Sequence, residues 1–242
     1  MTAQERENGH TMTERDSRVQ GIFNRVNASY DRVNTLMTLG RHAAWCREVA
    51  RRAGVNPGGR LLDIATGTGE IALAARRREP RAEIVGVDFS EKMLEGARRK
   101  PGAETVTWEF ADAHQLRYED ESFDAVTHGY LLRNVSDIPR VLAEQFRVLR
   151  PGGRVVVLET APPRGLLKFA VSTGMGVVLP LLGRVVARDP DAYGYLKDST
   201  LGFVPPTEVA RLLRTAGFVD VGYETKYLGT NVIFWGRKPT AG

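Results

Sequence analysis

The chain has 242 residues, 42% of them apolar and 26% charged, with a formal net charge of +5. That suffices for the core of one α/β domain, and a mild charge spread along the chain reads as a solvated surface, not a nucleic-acid footprint. A single cysteine, Cys46, excludes a disulfide framework, a thiolate zinc site and an iron–sulfur cluster, and fits a reducing compartment.

Residues 1–20 are polar and charged. They carry no secretory signal and read as a disordered leader ahead of one domain over 21–242. Residues 22–55 are expected to be helical, because Tyr30, Val33 and Met37, then Trp45 and Val49, recur at helical spacing on either side of Gly40. Alternating elements follow: strand Arg60–Ala65, helix Glu70–Arg78, strand Glu83–Asp88 and helix Glu91–Lys100 with Ser90 as N-cap. Strands Val106–Ala111 and Phe123–His128, helix Ile138–Leu149, a turn at Pro151–Gly153 and strand Arg154–Glu159 complete a parallel sheet with helices on both faces. Residues 160–205 form an insertion whose apolar content, Leu166 to Leu182, is too high for a surface loop. It reads as a core-completing helix or as a lid over a greasy substrate. Its longest nearly uncharged run, Phe169 to Gly183, is too short to span a bilayer and contains Pro180.

Helix Thr207–Ala216 stops at Gly217. Strands Val219–Lys226 and Asn231–Arg237 are then joined by only Tyr227–Thr230, too short a link for a parallel crossover. A mostly parallel seven-stranded sheet closed by a C-terminal antiparallel hairpin is the methyltransferase version of the doubly wound α/β fold.

The chemistry concentrates where the first strand ends. Asp63-Ile-Ala-Thr-Gly67-Thr68-Gly69 is a glycine turn between strand and helix, the place where backbone approaches a nucleotide-like cofactor. The pattern alone also suits a dinucleotide. Asp63 favours S-adenosyl-L-methionine, because a carboxylate there repels a pyrophosphate and attracts a sulfonium or ammonium. Asp88 ends the second strand, where a carboxylate accepts both ribose hydroxyls, and Phe89 follows it at the cofactor edge. Asp112 and Ala113 end the third strand, beside the expected adenine. His128-Gly-Tyr-Leu-Leu-Arg-Asn134 ends the fourth. Gly129 lets backbone close on the cofactor, and Arg133 and Asn134 stand where a substrate headgroup would come. A lone histidine such as His128 is more often structural, yet it remains a candidate to share proton handling. No acidic metal cluster and no Ser–His–Asp or Cys–His set is evident.

Three blocks resemble the UbiE/MenG/COQ5 family of quinone C-methyltransferases: Tyr30-Asp-x-x-Asn34 with His42-x-x-Trp45; Leu132-Arg-Asn-Val135; and Arg147-Val-Leu-Arg-Pro-Gly-Gly-Arg154 with Leu158-Glu159. A weaker fourth, Asp191-Ala-Tyr-x-Tyr-Leu196 to Pro205, lies in the insertion. The resemblance runs from Phe23 to Gly236. It implies a class I methyltransferase fold and S-adenosylmethionine held by Thr68, Asp88, Asp112 and Ala113, with S-adenosyl-L-homocysteine as product. Tyr30 would close over the cofactor. The substrate would be a prenylated quinol, its tail in the insertion and its ring near Arg133, Asn134, Tyr193 and Tyr195. Arg133 would organise proton removal, with Tyr30 or His128 sharing it. The chain departs from the family pattern at Val33 for Met, Glu70 for Asp, Tyr130-Leu131 for Phe-Gly and Thr160-Ala161 for Phe-Ser. Leu131 adds bulk beside the pocket and bears on which acceptor is used. Other readings are a methyltransferase of another phenolic or polyketide ring, a non-catalytic cofactor-binding regulator, and an NAD-dependent enzyme. The resemblance also implies a cytoplasmic protein meeting the inner face of a membrane through residues 165–186. A homodimer is compatible with it, and nucleic acid is not an expected partner.

Overall fold

The computed structural model describes residues 13–162 and 190–240. Seven strands form one sheet: β1 Arg60–Ile64, β2 Glu83–Asp88, β3 Thr107–Phe110, β4 Phe123–Gly129, β5 Leu149–Thr160, β6 Val219–Lys226 and β7 Asn231–Arg237. Their order is β3-β2-β1-β4-β5-β7-β6. The first five are parallel, and β7 runs antiparallel between β5 and β6. The helices are α1 Glu14–Met37, α2 His42–Ala53, α3 Glu70–Arg78, α4 Glu91–Arg98, α5 Ile138–Val148, α6 Pro190–Leu201 and α7 Pro206–Thr215.

The central strands read as continuous apolar runs because both faces are covered. Leu62, Val85, Val126 and Val155 pack into one core layer, and Leu61, Ile84, Ala125 and Val156 into the other. Strand order reverses between β1 and β4, which opens a crevice at the carboxyl ends of these strands. Two glycines let β3 pack close to it. A Cβ on Gly69 would lie 2.5 Å from the Trp108 ring, and one on Gly86 would lie 2.6 Å from it.

Two elements differ from the sequence reading. Helix α1 begins at Glu14, so residues 14–20, expected as leader, are helical. Thr13 and Asp16 form a capping box, and Val19 and Ile22 are buried. The helix was hidden because its buried stripe is narrow. Strand β5 starts at Leu149, not after the Pro151–Gly153 turn. Leu149 pairs with Phe123 and Arg154 with Ala125, so residues 150–153 bulge out of the ladder. Lys238 holds the bulge by accepting from Gly152 at 2.9 Å and donating to Gly153 at 2.8 Å. The expected antiparallel hairpin of β6 and β7 is present. Most of the 160–205 insertion, including the apolar stretch 165–186, lies outside the described residues.

Gly86→Ala should destabilise the fold by about 1–3 kcal/mol through overpacking against Trp108. A lowered urea midpoint would show it, and adding Trp108→Leu should restore part of the loss.

Candidate active site

Three cavities run along the carboxyl edge of the sheet, all bordered by Ala65. The first is apolar, walled by Ile64, Phe89, Phe110, Leu131 and Val135, with Asp112 and Ala113 on its border. The middle one lies over Gly67, Asp88, Phe89 and Gly129. The third is bordered by Asp63, Thr66, Gly67, Thr68, His42 and Cys46. Of the residues chosen for the cofactor, all but Gly69, which packs against Trp108, border this row of cavities.

The carboxylates are held by hydrogen bonds, not by cations. Asp88 accepts from the backbone N–H of Gly67 at 2.8 Å and of Ser90 at 2.9 Å. Asp63 accepts from the hydroxyls of Thr66 at 2.6 Å and Thr127 at 2.8 Å. Burial pushes the carboxyl of Asp63 up to about 7 and that of Asp88 up to about 6. Asp112 accepts from the backbone N–H of His114 and sits 2.8 Å from its Nδ1. Among the described residues, no lysine or arginine borders any of these three cavities. Lys100 stands just outside the lining, donating to the Thr68 hydroxyl at 3.1 Å. A heterocycle, two ribose hydroxyls and a cation find partners here, so the donor set fits S-adenosylmethionine.

Helix α1 covers the crevice. Its Tyr30 packs edge-on against Phe23, with centroids 6.1 Å apart, and borders the middle and third cavities. Burial raises the Tyr30 phenol above its ordinary range, so it stays protonated. Polar links fasten the helix along its length. Arg15 donates to the carbonyl of Arg133 at 2.9 Å, and Gln20 to that of Phe89 at 2.5 Å. Ser90 donates to Asn24 at 2.7 Å and Thr68 to Asp31 at 2.5 Å. Asp16 and Gln20 border the first cavity. Both lie in the stretch assigned to the leader, so the sequence reading missed them. His114, also missed, was signalled only by its place next to Asp112 and Ala113.

The rear wall is the turn Tyr130–Asn134. Tyr130 adopts φ +57°, whereas Leu131 has φ −86°. The position where the resembling family carries glycine thus has an ordinary conformation here, and the left-handed one falls on its neighbour. Asn134 donates to the Tyr130 carbonyl at 2.6 Å and accepts from Tyr195 of α6 at 2.9 Å. Arg133 is buried behind this turn. It donates to Thr200 at 2.7 Å, pairs with Glu159 at 3.6 Å and lies 5.2 Å from the Tyr130 ring centroid. It borders none of the three cavities. The side chain of Tyr193 lies outside the described residues.

His128 is a correction. It is fully buried in β4 and borders none of the three cavities. Gln145 of α5 is a polar side chain that acts on its ring, and burial lowers its pKa to about 3. A neutral ring under the sheet has no route to a substrate proton.

Sheet order, crevice and carboxylates together define a class I methyltransferase. A crystal structure of a SAM-dependent methyltransferase from Thermotoga maritima shares the fold, with a TM-score of 0.64, 22% identity and coverage of 91% of this chain and 99% of that one. A family model described as the ubiE/COQ5 methyltransferase family matches residues 11–238. The chain belongs to that family. It is 45% identical over 221 residues to the ubiquinone/menaquinone biosynthesis C-methyltransferase UbiE of Desulfotalea psychrophila, covering 91% of this chain and 90% of the relative. It is 40% identical to the demethylmenaquinone methyltransferase of Deinococcus radiodurans, covering 90% and 92%.

Asp63 and Asp88 have folded values above their ordinary 3.8. Their contribution to the stability of the ligand-free protein is therefore greatest below about pH 4 and declines as pH rises through 6–7. A cationic cofactor prefers the ionised forms. Its affinity should rise about tenfold from pH 6 to 8, with proton release in calorimetry, and Asp63→Asn should flatten the rise. Separately, Arg133→Ala should cost about 3–5 kcal/mol by leaving Glu159 unpaired. Thermal melts should show Arg133→Ala/Glu159→Gln recovering most of that loss.

Proposed function

We propose that the chain is an S-adenosylmethionine-dependent C-methyltransferase acting on a prenylated quinol. The buried carboxylates Asp63 and Asp88, held along the crevice by neutral donors, carry the cofactor half of this reading. The acceptor half is supported by the relatives, whose names state quinone substrates. When bound, the cofactor supplies an electrophilic methyl on a sulfonium.

The protein's share is alignment and dryness. Tyr30 and Phe23 shield the crevice from water, and Asp88 and Gly67 fix the cofactor's ribose. The acceptor ring carbon becomes nucleophilic as the neighbouring hydroxyl loses its proton. Arg133 favours that loss by its field, since a guanidinium stays protonated and is a poor base. Glu159 is fully buried, borders none of the three cavities and is engaged with Arg133 and the backbone N–H of Thr160, so it does not serve as base. Tyr30, held protonated by burial, does not act as base. Asn134 and Tyr195 border the acceptor.

The test is mass spectrometry of the protein with S-adenosylmethionine and reduced demethylmenaquinone. A product heavier by one methyl, on carbon, is expected. No product, with S-adenosylhomocysteine still bound, would remove the quinol and leave another phenolic ring, which the bulk of Leu131 would suit. Arg133→Ala/Glu159→Gln should lose turnover about 10²-fold or more while cofactor affinity stays within a few fold.

A further inference from the structure

The order of the three cavities assigns the parts of the cofactor. Asp112 borders the first and Asp88 the middle one. The third therefore receives what lies beyond the ribose, which in S-adenosylmethionine is an amino acid with an ammonium and a carboxylate. Asp63 answers the ammonium. The carboxylate needs a donor, yet the other ionisable groups bordering this cavity are the acid Glu70, the phenols Tyr30 and Tyr130, the thiol Cys46 and the imidazole of His42. Lys100 pairs with Glu70 at 2.5 Å and Asp31 at 2.7 Å and donates to the Thr68 hydroxyl at 3.1 Å, so it is already engaged by three partners and does not itself border the cavity. Tyr130 spends its hydroxyl on Asn231 at 3.1 Å.

His42 is built to fill the gap. It opens α2, is nine-tenths buried and stacks on Tyr130 at 5.9 Å and 23°. Its Nε2 lies 3.5 Å from the Sγ of Cys46. Its Nδ1 is buried and, among the described residues, has no hydrogen-bond partner. Burial pushes the Cys46 thiol up and the His42 imidazole down, so the thiol keeps its proton and the ring is neutral. With the thiol donating, Nε2 is the acceptor and the ring proton sits on Nδ1, which is the arrangement the proposal requires. A buried donor without an acceptor is a group waiting for a ligand.

We propose that His42 Nδ1–H recognises the carboxylate of the cofactor's amino-acid end, with Cys46 as the positioning residue that fixes the tautomer. This rests on the reading of S-adenosylmethionine as cofactor. The position His42-x-x-Trp45 then has a chemical purpose, with Trp45 supporting the helix face that presents His42.

Calorimetry with S-adenosylhomocysteine and with 5′-methylthioadenosine, which lacks the amino acid, tests it. His42→Phe keeps a stacking ring and removes the donor. It should weaken S-adenosylhomocysteine binding about 10- to 100-fold and leave methylthioadenosine within twofold. Equal loss for both ligands, or no loss for either, would overturn the proposal. Binding of neither by the unaltered protein would instead defeat the cofactor reading. Without any substitution, nitrogen-15 NMR of labelled histidine should show Nδ1 of His42 protonated and shifted by S-adenosylhomocysteine but not by methylthioadenosine. A proton on Nε2 would refute the tautomer and with it the role.

Discussion

Two carboxylates kept out of water and held by neutral donors set the terms for everything around this crevice. An isolated buried charge is costly, and Asp63 and Asp88 meet that cost with neutral donors: two threonine hydroxyls for one, two backbone amides for the other. The left-handed turn at Gly67, φ +56°, aims its amide at Asp88. Thr127 must come from β4 to reach Asp63, so the pairing of β1 with β4 is part of the site and not merely its scaffold. The charge deficit left over is a standing attraction for a cation.

Much of this was legible along the chain. The alternation of strand and helix, the glycine turn and the acids near strand ends are local patterns: Asp88 ends β2, Asp63 is the penultimate residue of β1, and Asp112 stands two residues beyond β3. What local pattern could not reveal was decided at a distance. Pro151-Gly-Gly153 has the composition of a turn, but Lys238 from beyond β7 draws it into the ladder as a bulge. His128 stands at a strand end beside the crevice in sequence, yet a strand alternates sides, and its ring faces α5. Asp16 and Gln20 looked like leader because a helix that buries one narrow stripe leaves a mostly polar sequence.

The turn Tyr130–Asn134 shows how a departure from a family pattern can be absorbed. Leucine at the expected glycine position fits because its own dihedrals are ordinary. The strain sits on Tyr130, which is secured by a stacked His42 on one side, the Arg133 guanidinium nearby and a hydrogen bond from its N–H to Leu158 at 2.7 Å. Tyr130 thereby joins the wall of the cofactor crevice to the buried Arg133–Glu159 pair, so the two halves of the site share one rigid residue.

Helix α1 is joined to the rest of the site largely by single polar bonds, one every few residues from Arg15 to Asp31. Each such bond is replaceable by water at a net cost of about 1 kcal/mol. To free a molecule enclosed beneath it, these bonds, the teeth of a zip, must part together with the narrow apolar stripe of Val19, Ile22 and Val33. How long spent cofactor lingers is then tuned by side chains remote from the reacting atoms, and turnover can be quickened or slowed by editing teeth that never touch the chemistry.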